Sequence, residues 1–125
     1  MGNLSSGEYP LKAHVRGLKG IRGRFTTANT AAPTKVTPAV NWTVARTGVG
    51  TFVVTLPQAY KRILYADANA IVGASSTKFA KIVALSEGGI RSGATITIEV
   101  QSAPGTAAET TGLDVMFCVD ACQVK

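Results

Sequence analysis

The strongest constraint on this chain is a strict two-residue alternation that recurs in short blocks bounded by glycine, proline and serine. In ATITIEV, residues 94–100, Ile96, Ile98 and Val100 alternate with Thr95, Thr97 and Glu99. In LDVMFCVD, residues 113–120, Leu113, Val115, Phe117 and Val119 alternate with Asp114, Met116, Cys118 and Asp120. Successive side chains of an extended strand point to opposite faces, so each block buries one face and wets the other. TFVVTLP repeats the pattern with Phe52, Val54 and Leu56 on one face, and Pro57 ends it. NWTVAR precedes it across the turn residues Thr47-Gly48-Val49-Gly50. Residues 40–57 therefore read as a hairpin with Trp42 and Val44 on the matching face.

Residues 61–73 and 78–86 are further strand candidates around the small-residue turn Ala74-Ser75-Ser76. For 78–86 period alone leaves a helix open. No glycine-rich crossover leads into a long amphipathic helix, which argues against a parallel α/β fold. Short strands at this spacing specify an all-β chain, an antiparallel β-sandwich or jelly-roll-like single domain. Its expected core is Trp42, Val44, Phe52, Val54, Leu56, Ile96, Ile98, Leu113, Val115 and Phe117. A chain of 125 residues is long enough for one such core. Hydrophobic residues make up 46% and charged ones only 16%, so a large part of the surface is expected to meet protein rather than water. No apolar run is long enough to span a bilayer, and no secretory leader is evident, so a soluble, non-secreted chain is expected.

The net charge of +6 is uneven. Residues 1–25 carry five basic side chains against one acidic, whereas residues 26–125 carry eight against six. LKAHVR, residues 11–16, alternates Leu11, Ala13 and Val15 with Lys12, His14 and Arg16, a strand period with a basic face. GLKGIRGR then places Gly17, Gly20 and Gly23 three apart with cations between, which opposes a regular helix. TTANTAAPTKVTP has linker composition. The chain thus divides into an extended basic N-terminal arm and linker, 1–39, and a β-sandwich domain, 40–125. The arm residues Lys12, His14, Arg16, Lys19, Arg22, Arg24 and Phe25 are the expected partner-binding set, and their partner should be acidic.

Catalytic and metal signatures are weak. Ser75-Ser76-Thr77-Lys78 matches S-x-x-K in form, but its companion motifs are missing. The spacing G-x-x-G-x-x-G is not the dinucleotide fingerprint G-x-G-x-x-G. GLKG and GIRG look like the backbone-clamping loop of KH domains, whose flanking helices this sequence does not offer. Met1-Gly2-Asn3-Leu4-Ser5-Ser6 fits a myristoylation pattern only loosely. Cys118 and Cys122 on one strand lie about 13 Å apart, beyond disulfide reach, and with the single His14 they make a poor zinc set. The remaining carboxylates are scattered. No catalytic residues, metal or cofactor are expected, and the chain reads as a non-enzyme.

The block from Val44 to Pro57, VARTGVGTFVVTLP, followed by Tyr60, resembles a block in small tailed-bacteriophage virion proteins of the capsid decoration or cement class. Gly105-Thr106-Ala107-Ala108 and Leu113-Asp114-Val115-Met116-Phe117 are similar to their closing loop and strand. The resemblance spans roughly residues 42–120. It implies a β-sandwich or jelly-roll-like protein on the head surface of a virion, made in the host cytoplasm. It also implies a homotrimer that bridges major capsid protein subunits and stabilises the head. The basic arm lies outside the resembling block, and its role as a capsid contact follows from charge alone. Two alternatives stand beside this: a tail, fibre or baseplate structural subunit, and a basic nucleic-acid-binding module. The second is disfavoured because Phe25 is the one aromatic near the cations.

Overall fold

The computed structural model describes residues 18–36, 42–71, 77–89, 91–108 and 111–124. All regular structure among them is strand: β1 (Leu18–Ala28), β2 (Ala31–Val36), β3 (Thr43–Gly48), β4 (Thr51–Thr55) and β5 (Tyr60–Ile71), then β6 (Phe79–Ser86), β7 (Thr95–Ala103), β8 (Thr106–Ala107) and β9 (Thr111–Val124). They form two antiparallel sheets. Sheet A has the order β2-β1-β9-β5, and sheet B the order β3-β4-β7-β6 with β8 beside β7. Face to face, they make an antiparallel β-sandwich.

The alternating blocks behave as their period dictates. Ile96, Ile98 and Val100 of β7 are fully buried, as are Val115 and Val119 of β9, with Leu113 and Phe117 nearly so. Within the expected 40–57 hairpin, β3 and β4 pair with Val44 opposite Val54 and Arg46 opposite Phe52. Its turn needs Gly50, where φ is +58° and an added Cβ would lie 2.5 Å from the Ala108 carbonyl oxygen. Residues 78–86, for which a helix was open, contain the strand β6.

The expected boundary at residue 40 is corrected. Residues 18–36 are not an arm and linker but the β1–β2 hairpin of sheet A, and β1 is flanked on both sides by partners. The linker-like composition hides a turn at Asn29-Thr30, where Asn29 has φ +55°. Phe25, expected to bind a partner, is wholly buried and packs on Phe52 of sheet B with ring centroids 5.3 Å apart. Gly23 faces the same interior. An added Cβ there would lie 2.6 Å from both the Phe117 and the Trp42 rings, which meet edge to face at 5.0 Å. The glycine gives space to an aromatic pair rather than adaptability to an arm.

A bulge in β1 lies between Thr26 and Ala28. The buried Thr27 within it accepts a hydrogen bond from Leu113 N through its Oγ1 at 3.1 Å. A backbone donor that the bulge takes out of the ladder is thereby satisfied.

Candidate interaction surface

Three surfaces of the sandwich carry chemistry: the outer face of sheet A, the outer face of sheet B, and the side where β5 and β6 meet. Strand register sets the first. Across β1, β9 and β5 the outward rows are Thr26–Asp114–Ile71, Arg24–Met116–Asn69, Arg22–Cys118–Asp67 and Gly20–Asp120–Tyr65. Three carboxylates therefore stand on the face that also carries two of the expected cations. Arg22, Asp67, Asn69, Met116 and Cys118 line a hollow of about 340 Å³ there. Cys118 and Cys122 are half-buried free thiols.

Cations and carboxylates alternate along the face: Asp114 stands beside Arg24, Asp67 shares a row with Arg22, and Asp120 stands one row from the exposed Arg62. Asp114 accepts hydrogen bonds from Thr26 Oγ1 at 2.6 Å and from Arg24 Nη2. The Thr26 hydroxyl and then the Arg24 guanidinium hold its carboxyl below the usual carboxylate value, against partial desolvation. At the other end the Asp67 charge pushes the Tyr65 phenol up, helped by desolvation, Cys118 and Asp120.

The outer face of sheet B is nearly uncharged. Its rows are Thr43–Thr55–Thr95–Ser86, Ala45–Val53–Thr97–Ala84 and Thr51–Glu99–Lys81, in which a hydroxyl or methyl recurs at almost every position.

The third surface was not anticipated. β5 and β6 are edge strands of different sheets. They are pinned at one end by Tyr60 N donating to Glu87 O at 2.8 Å and Ile63 N donating to the Glu87 carboxylate at 2.7 Å. Four residues on along each strand from that joint come Leu64 and Val83. Each sits in a bulge, between Ile63 and Tyr65 in β5 and between Ile82 and Ala84 in β6. With Leu85 they form an apolar seam, 48%, 44% and 51% exposed respectively. The sequence held a signal: ILY at 63–65 and IVAL at 82–85 place apolar residues at both parities, which one buried face cannot absorb.

The expected partner-binding residues fall into three groups. Lys12, His14 and Arg16 lie outside the described residues. Lys19 and Arg22 are exposed on β1. Arg24 is engaged by Asp114, and Phe25 belongs to the core, so neither is a free contact of an arm. Among the described residues, no three His, Cys, Asp or Glu side chains group to hold a metal ion, and no helix is long and apolar enough to cross a membrane.

Comparison of the chain with protein-family models, with curated protein sequences and with solved structures found no match.

Proposed function

We propose that this chain is a non-enzymatic structural protein of a bacteriophage virion, a capsid decoration protein that assembles as a homo-oligomer, a trimer by the resemblance, on the major capsid protein lattice and stabilises the head. The observation that carries this reading is the exposed apolar area on the β5–β6 side, where Leu64, Tyr65 and Ile71 of β5 and Val83 and Leu85 of β6 face out, five of the seven large exposed hydrophobics among the described residues. Large apolar side chains gathered at one side of a small domain mark a protein contact. The nearly uncharged hydroxyl-rich face of sheet B offers a second contact area, suited to a protein lattice rather than to phosphate.

The mechanism is mechanical. The sandwich is a rigid block, and several blocks joined to each other hold several lattice contacts at once. Once the first contact forms, the others are intramolecular, so weak contacts add to durable attachment. A head strained by packaged DNA is then held at its subunit junctions. The resemblance of residues 42–120 to decoration proteins supplies the virion context. Binding to nucleic acid is opposed by Asp67, Asp114 and Asp120, which stand beside Arg22 and Arg24 on one face.

Immunogold labelling of intact virions with antibody against this chain tests the reading. Label spread over the head is expected. Label confined to the tail or baseplate would replace decoration by the tail-subunit reading, and virions without label would overturn both.

A further inference from the structure

We propose that β5 of one copy pairs antiparallel with β5 of a second copy about a two-fold axis at Ala68, joining the two A sheets into one. Tyr65 then faces Ile71 of the second copy and Asp67 faces its Asn69, and each pair occurs twice. This deepens the proposed function and rests on its assembly part. It requires an even number of copies where the resemblance implies three.

The edge comes first. β5 ends sheet A, so among the described residues it has no strand neighbour on the side away from β9. Such an edge is a template for another strand. Glu87 meets it at Tyr60 N and Ile63 N, and the bulge at Leu64 follows. Beyond the bulge the ladder to β9 runs from Tyr65 to Ile71 without a shift. That regular stretch is the part of the edge open to a partner.

Its sequence is alike in kind from either end. YADANAI has Ala68 at the centre, Asp67 and Asn69 beside it, Ala66 and Ala70 next, and Tyr65 and Ile71 at the ends. A two-fold contact brings residue i to residue j and j to i. Antiparallel strands related by such an axis therefore pair positions equidistant from it. The occupant that matches this edge is the same edge on a second copy.

The side chains agree on both faces. Tyr65, Asp67, Asn69 and Ile71 stand on the outer face of sheet A, in register with Asp120, Cys118, Met116 and Asp114. Tyr65 is 53% and Ile71 47% exposed, and as a cross-strand pair the ring and the aliphatic chain cover each other. Asn69 is exposed, and its amide reaches Asp67 of its own chain only at 3.4 Å, so it can donate to Asp67 of the second copy. Each row Arg22–Cys118–Asp67 then continues into Asn69–Met116–Arg24 of the second copy, with a cation at both ends. The inner positions are Ala66, Ala68 and Ala70, too small to obstruct a neighbouring strand. An axis at Asp67 would set that carboxylate against itself, and an axis at Asn69 would set it against Ile71, so the composition also fixes register.

The test uses the full chain and the concentration at which its assembly half-dissociates, measured by light scattering. Masses at even multiples of the 12.9 kDa chain are expected. Asn69→Asp sets carboxylate against carboxylate at two places and should raise that concentration about tenfold or more. Adding Asp67→Asn exchanges the two groups, restores the pair across the axis and should return the concentration to near its starting value. A combined variant that assembles no better than Asn69→Asp alone overturns the inference. So does a chain that stays monomeric, or a particle of three copies alone. Should Asn69→Asp unfold the protein, Ile71→Lys at its half-exposed site must raise the concentration instead, and an unchanged value counts against the contact. Rescue by the exchange with unlabelled virions leaves this inference standing and removes the virion reading. Labelled heads with a three-copy particle do the reverse.

Discussion

The two long sides of the sandwich, where one sheet hands over to the other, are finished in opposite ways. On the β2–β3 side Trp42 leaves sheet B and inserts against Phe117 and Gly23 of sheet A. Lys35 of β2 closes over it, donating to the Trp42 carbonyl at 3.0 Å with its ammonium 5.6 Å from the ring centroid. On the β5–β6 side the strands are pinned at Glu87, and each carries a bulge, with Leu64, Val83 and Leu85 facing out. One side is built for the stability of the single chain. The other carries exposed apolar area, which the proposed function assigns to a partner. Substitutions on the first side should therefore cost stability, and substitutions on the second should cost assembly alone.

The largest effect is expected at the closed side. Trp42→Ala removes a ring that is 2% exposed and bridges the sheets, and should cost about 3–5 kcal/mol in denaturant unfolding. A loss below about 1 kcal/mol would mean that the side is not sealed by Trp42. Gly23→Ala adds a methyl where two rings already stand, and an overpacking cost of about 1–3 kcal/mol should follow. Under the expectation of an adaptable arm, the same change would be neutral or slightly stabilising. Thr27→Val keeps the shape but leaves Leu113 N without its acceptor, at about 1–3 kcal/mol by the same assay.

On the open side, replacing Leu64, Val83 and Leu85 by Ser should move the unfolding midpoint little, about 0.5 kcal/mol or less per site, because these side chains already face water. Assembly measured by light scattering should nevertheless be lost. A large stability loss with intact assembly would reverse the roles of the two sides.

The smallest effect is a pH dependence. Asp114 has its folded-state pKa lowered by Thr26 and Arg24, so its contribution is present above the ordinary carboxylate range and fades as pH falls through the folded value. Melting curves of the protein and its Asp114→Asn variant should therefore converge on acidification, the native chain losing its advantage. A gap that stays constant from neutral to acid pH would assign the difference to packing.

How much of this was legible in the sequence depended on whether neighbouring residues carried the contrast. β4, β7 and β9 announce themselves because every second residue is aliphatic or aromatic and the others are mostly polar. β1 does not. Its inward positions are Ile21, Gly23, Phe25 and Thr27, and Gly23 carries no side chain because Trp42 and Phe117, both distant in sequence, fill the space. Periodicity cannot register a side chain supplied from elsewhere. The same limit applies to Arg24, which read as a free cation because its partner Asp114 lies ninety positions away. The exposed seam was half legible. Consecutive apolar residues at 63–65 and 82–85 broke the alternation, yet only the bulges decide which of them turn outward. The strand pattern read at 11–16 lies outside the described residues.

Hydrogen–deuterium exchange of the full chain, at concentrations well below and well above its assembly midpoint, tests the central claim most directly. The account predicts that backbone amides of residues 64–71 and 79–86 slow on assembly, while β2 and β3 exchange at the same rate in both samples. Equal exchange along β5 at both concentrations, or slowing confined to β2 and β3, would contradict it.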